Sequence, residues 1–144
     1  MKVLFSIFIF LFSISLSLEA LASHPTHGGK RYWVGVDTEE GANFLIDSNW
    51  SKHAGGSAHH WVAPNYRKQA IFTGNNSVNA KLYDDAVVKK LITYNGYSGT
   101  IDLDGKNLKA NKGMLVGGGT ILVPAGSVLT NNNFTTVKNN ATLN

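Results

Sequence analysis

Gly99-Thr100-Ile101 returns twenty residues later as Gly119-Thr120-Ile121. At the same offset, Ile101 faces Ile121, Leu103 faces Val123 and Leu108 faces Val128. Asp104-Gly105-Lys106 falls on Pro124-Ala125-Gly126. Apolar meets apolar and turn meets turn. Such a period marks a chain that winds in coils, each laid on the one before it with strands in register. Side chains alternate along a strand, so Ile101 and Leu103 share the core side, and Thr100, Asp102 and Asp104 the wall. The period drifts near the end, where Thr142-Leu143 follows Thr120-Ile121 by 22 residues.

The rest of the chain has the same texture. Short apolar or β-branched runs are expected as strands at Arg31–Val36, Asn43–Ile46, Gln69–Thr73, Ala86–Val88, Leu91–Tyr94, Gly99–Leu103, Leu108–Ala110, Met114–Val116, Thr120–Val123, Val128–Thr130, Thr135–Val137 and Ala141–Leu143. Gly, Asn and Asp separate them, and no window holds a helical spacing of apolar residues for three turns. The expected fold is all-β, a right-handed parallel β-helix, with a β-sandwich as the alternative. Asn131, Asn132, Asn133, Asn139, Asn140 and Asn144 suit tight corners, because Asn tolerates left-handed backbone angles. Stacked Asn side chains can also bond from coil to coil.

The chain is expected to be exported. Lys2 precedes an apolar run from Val3 to Leu18, and Ala20-Leu21-Ala22 fits the small-x-small pattern of signal cleavage before Ser23. The run is short for a membrane span, so no membrane association is expected after cleavage. The expected organisation is a signal peptide at 1–22, a flexible lead-in at 23–30, a capping region of the β-helix at 31–79, and coils at 80–144. No Cys is present among 144 residues. Small exported domains often lean on disulfides, so something else must hold this one, and stacked backbone hydrogen bonding in a solenoid is one answer. A solenoid that stops at Asn144 directly after a strand has no polar cap there. The expectation is that the chain continues or that it associates end to end with a copy of itself.

Without residues 1–22, which carry Lys2 and Glu19, the net charge stays at +4. The basic residues are spread along the chain, with Lys30-Arg31, Arg67-Lys68 and Lys89-Lys90 the adjacent pairs. A nucleic-acid protein concentrates them, so no nucleic-acid partner is expected; a weak attraction to acidic glycans or anionic surfaces is the residual reading.

Residues 31–73 resemble the start of large secreted bacterial β-helix proteins of the autotransporter-passenger and adhesin kind. The matching pieces are Tyr32-Trp33-Val34-Gly35, Asn49-Trp50-Ser51, Gly55-Gly56-Ser57, Pro64 and Ala70-Ile71-Phe72. The chain departs from that pattern at Thr38-Glu39-Glu40 and in the loop enlarged by His59-His60-Trp61. The resemblance implies fold and export and carries no catalytic residues. Flat rings suit the first coil, which has no coil beneath it, so Trp33, Asn49 and Trp50 are the candidate structural cap.

Candidate chemistry is sparse, and neither a cofactor nor a metal is expected. His53, His59 and His60 lie in a loop, and adjacent His residues on extended chain point to opposite faces. Asp102 and Asp104 share a strand face. Polysaccharide-cleaving β-helices use such carboxylates with Ca²⁺ or as an acid–base pair, but the offset places Leu122 and Pro124 beside them. Tyr94 and Tyr97 flank Asn95-Gly96 and are candidates for glycan contact, with core-edge packing as the ordinary reading. Asn49, Asn75, Asn133 and Asn140 open N-x-S/T sequons. Three functions follow: a secreted or cell-surface structural or adhesive β-helix, the non-catalytic front of a polysaccharide lyase or glycoside hydrolase, and a small glycan-binding module.

Overall fold

The computed structural model describes residues 29–35, 41–57, 62–138 and 141–144. The expected signal peptide, most of the expected lead-in, Thr38-Glu39-Glu40, His59-His60-Trp61 and Asn139-Asn140 lie outside the described residues.

The fold is an all-β parallel solenoid. The first coil holds β1 (Lys30–Trp33) and β2 (Ala42–Asn43), then a 3-10 turn at Asp47–Asn49 and β3 (Trp50–Ser51). Three complete coils follow: β4 (Gln69–Phe72), β5 (Ala80–Lys81) and β6 (Ala86–Val88); β7 (Lys90–Thr93), β8 (Thr100–Asp102) and β9 (Asn107–Ala110); β10 (Met114–Val116), β11 (Gly119–Leu122) and β12 (Val128–Asn131). The last strands are β13 (Thr135–Val137) and β14 (Ala141–Leu143). The strands stack into three walls. The first runs β13-β10-β7-β4-β1-β3, the second β14-β11-β8-β5-β2, and the third β12-β9-β6. Among the described residues every strand pairing is parallel except β1 with β3.

The expected register holds in the second wall. Ile121 pairs with Ile101, Thr120 with Thr100 and with Thr142, and Leu122 with Asp102. Alternation then builds the core. Ala42, Ala80, Ile101 and Ile121 form one buried column, and Phe44, Leu82 and Leu103 belong to the same core. Thr100 and Asp102 are half-buried on the wall, and Asp104 is exposed.

Past the next corner the expected alignment slips by one. Leu108 pairs with Leu129, and Val128 with Asn107, so Val128 is exposed rather than stacked on Leu108. The cause is the corner itself. Lys106 N donates to Leu103 O at 2.7 Å, and Ser127 N to Pro124 O at 3.0 Å, which closes two four-residue turns. Gly105 and Gly126 take the same third place in these turns, with φ of 79° and 89°. Because that place demands a positive φ, the glycines align with each other, and Pro124 becomes the extra residue.

Polar links run from coil to coil at the corners. Asn79 Oδ1 accepts from Thr100 N at 2.8 Å. Asp85 accepts both Asn107 N and Asn107 Nδ2, while Asn107 Oδ1 accepts from Val128 N. The two bonds from Asn107 hold the Asp85 carboxyl below its ordinary range. Among the described late asparagines, Asn131 bonds locally instead, donating to Thr135 Oγ1 and accepting from Asn133 N. Inside the stack, Thr93 is buried where its neighbours are apolar. Its hydroxyl donates to Gly118 O at 2.6 Å and accepts from Gly117 N and Gly118 N, so no polar atom there is stranded.

Candidate functional site

The sequence-predicted residues fall in separate places. Trp33, Asn49 and Trp50 gather at the first coil. Trp33 and Trp50 are edge-to-face with centroids 5.0 Å apart, and Phe44 and Phe72 lie 5.1 and 5.6 Å from Trp50. Each indole N–H has a backbone acceptor: Trp33 Nε1 donates to Val78 O at 2.9 Å, and Trp50 Nε1 to Phe44 O at 2.7 Å. Asn49 Nδ2 donates to Asn43 O, and Asn49 O accepts from Val34 N and Gly35 N. Asn49 is buried, so its sequon is not a surface feature of the folded chain, whereas Asn75 and Asn133 are exposed. The chain at Val62–Ala63 crosses the same end. Ala63 N donates to Asp47 Oδ1 at 2.7 Å, and Arg31 Nε donates to Val62 O at 3.0 Å. Burial lowers the Arg31 pKa, and Asp47 opposes that shift.

Tyr94 and Tyr97 part company. Tyr94 is exposed, but Tyr97 is 2% exposed and packs 5.1 Å from the Phe72 ring. Its hydroxyl donates to Val78 O at 3.2 Å, and burial raises its pKa well above the usual phenol value. A ring so enclosed offers no face to a sugar, because the turn at Asn95-Gly96 sends the two side chains to opposite sides of the wall. Asp102 lies beside Leu122, and Asp104 pairs with Lys81 at 3.4 Å. His53 is exposed, while His59 and His60 lie outside the described residues. No group of three His, Asp or Glu side chains within reach of one metal ion occurs among the described residues.

The structure gathers a different set of residues, at the corner between the third wall and the first. Lys89 N donates to Lys68 O at 2.8 Å, and Lys112 N to Lys89 O at 2.7 Å, so Lys68, Lys89 and Lys112 stand one above another. Successive coils are about 4.8 Å apart, which spaces one cation per coil. Arg67 adjoins Lys68, and Lys90 adjoins Lys89. Lys68 has its pKa lowered by partial burial first and by the nearby Arg31 charge second, with Asp47 opposing. Among the described residues the single ion pair within 4 Å is Lys81 with Asp104, on another wall, so the ridge has no ion-paired carboxylate of its own.

Two exposed rings flank the ridge. Arg67 Cζ lies 5.1 Å from the Tyr66 centroid, and Lys90 Nζ lies 6.0 Å from the Phe134 centroid. Tyr66 and Phe134 are both 55% exposed. Beside Phe134 runs a groove of about 150 Å³ lined by Lys90, Ile92, Gly113, Met114, Leu115 and Phe134. Gly113 makes it: it lies in the column between Lys90 and Phe134, and without a side chain it leaves room for the ring to lean down toward the ammonium. A Cβ there would sit 3.0 Å from Phe134 O, and φ is 106°. This arrangement can hold a negatively charged, ring-bearing ligand by ion pairing and stacking; it offers no paired acid and base for proton transfer. Reading charge along the chain misses it. Lys68, Lys89 and Lys112 are 21 and 23 residues apart, so only charge read by coil period finds the ridge.

In comparison with known proteins, the chain matches no family model, no curated protein and no solved structure.

Proposed function

We propose that this chain is an exported structural β-solenoid that works by displaying its outer walls at the cell surface or in the extracellular space. The leader at residues 1–22 and the resemblance of residues 31–73 to secreted β-helix proteins support export. The observation that carries the display reading is the coil-on-coil register, which converts residues scattered in sequence into a continuous outer ridge on a rigid support.

The test is expression of the full chain with a C-terminal epitope tag in a bacterial host. Export predicts an accumulated product that begins at Ser23, found in the medium or accessible to protease on intact cells. A tagged product that stays inside the cell with residues 1–22 attached would overturn the reading.

A further inference from the structure

We infer that the corner ridge of Lys68, Lys89 and Lys112, with its flanking rings, binds an acidic polysaccharide lying along the solenoid axis. The inference rests on the display reading above and names the partner of that surface. Three features converge on this ligand. The cations repeat once per coil in a straight row, which matches a polymer carrying a negative charge on successive sugars. Tyr66 and Phe134, both about half exposed, stand near the two ends of the row, and aromatic faces stack on the apolar face of a sugar ring. The groove beside Phe134 is floored by Ile92 and Leu115 and edged by Lys90, so one sugar seated there would place its carboxylate near an ammonium and its C–H face on apolar carbon.

Asp84, Asp85, Asp102 and Asp104 lie on the second wall and at its corner with the third, with Lys81, Lys106 and Lys109 among them, and Asp47 lies near Lys68 at the first-coil end of the ridge. A single-stranded nucleic acid would also be drawn to cations and rings. Export favours the polysaccharide, and the nucleic acid is an outcome of the test.

Binding of the full chain to polygalacturonate is measured at low and rising salt, with neutral dextran and an oligo(dT) strand as comparison probes. The expected result is salt-sensitive binding to polygalacturonate, with none to dextran and weaker binding to oligo(dT). The double variant K89Q/K112Q should weaken it by about tenfold or more, whereas K106Q/K138Q, which removes the same charge from other corners, should change it less than about twofold. Phe134→Ala should weaken binding several-fold, and Phe134→Tyr should restore it. Circular dichroism melts confirm that each variant is folded, and because all these side chains reach solvent, folding is expected to survive. No binding to polygalacturonate, equal loss in the two double variants, or equal affinity for oligo(dT) would overturn the inference. The export experiment is separate: an exported chain that fails to bind defeats the ligand alone, and a chain retained in the cell defeats the display reading whatever it binds.

Discussion

The two ends of the stack solve the same problem differently. A middle rung is covered by a coil on each side, and its inward side chains are fully buried: Ile101, Leu103, Leu108 and Val116 have no exposed surface. Among the described residues the first rung has no coil beneath it. There the chain doubles back as β3, antiparallel to β1, and Trp33, Phe44, Trp50 and Phe72 pack face and edge. The last described rung has neither device. Val137 continues the column of Val116 and Leu143 that of Ile121, yet they are 47% and 45% exposed. Sequence periodicity alone makes a column; whether its terminal rung is buried depends on residues outside the repeat. Among the described residues the ridge draws on the three complete coils, of which only the middle one, β7, β8 and β9, has a paired strand on both sides in all three walls.

This contrast can be broken by substitution. Trp50→Ala removes a ring in contact with three others and strands the Phe44 carbonyl it caps, so a loss of about 3–5 kcal/mol is expected by urea denaturation. Thr93→Val, in the middle of the stack, keeps the shape but leaves Gly117 N and Gly118 N without that partner, at an expected cost of about 1–3 kcal/mol. Val137→Ala at the far end should cost under about 1 kcal/mol, since nearly half of the side chain already meets water. If Val137→Ala costs as much as Trp50→Ala, the far end is covered by something and the contrast fails.

Acid sharpens the comparison further with the smallest effect. The folded Asp85 carboxyl has its pKa depressed by its bonds to Asn107, so its contribution is present above the unfolded carboxylate value of about 3.9 and fades as pH falls through the lower folded value. Below about pH 4 the urea midpoint should fall, and Asp85→Ala should fall less steeply over that window. An identical acid profile in the variant would show that this corner link contributes nothing measurable.

Much of the architecture was legible because it depends on local alternation. Ile101 over Ile121 follows from a repeated tripeptide and the two-residue period of a strand. The slip to Leu108 over Leu129 was not legible, because it depends on which residue of the second turn takes a positive φ. β5, at Ala80–Lys81, is two residues long and has no β-branched or aromatic signal, so only its neighbours on the wall make it a strand. β3 is two residues long, and its antiparallel return requires knowing that β1 leaves an edge free. Tyr94 and Tyr97 look alike in sequence, as candidates for glycan contact or core-edge packing, and only the turn between them decides that Tyr97 packs in the core while Tyr94 is exposed. The basic ridge was invisible for the opposite reason. Its residues look dispersed along the chain, and they meet only once the coil length is known.

The account stands on parallel, in-register stacking of successive coils. The most direct test is solution NMR of hydrogen bonds through their trans-bond couplings. The account predicts a coupling from Thr120 N to the Gly99 carbonyl carbon and from Leu103 N to the Leu122 carbonyl carbon, across bonds of 3.0 and 3.1 Å. Couplings that instead tie Ile101 and Ile121 into antiparallel neighbours, or place them in separate sheets, would contradict it.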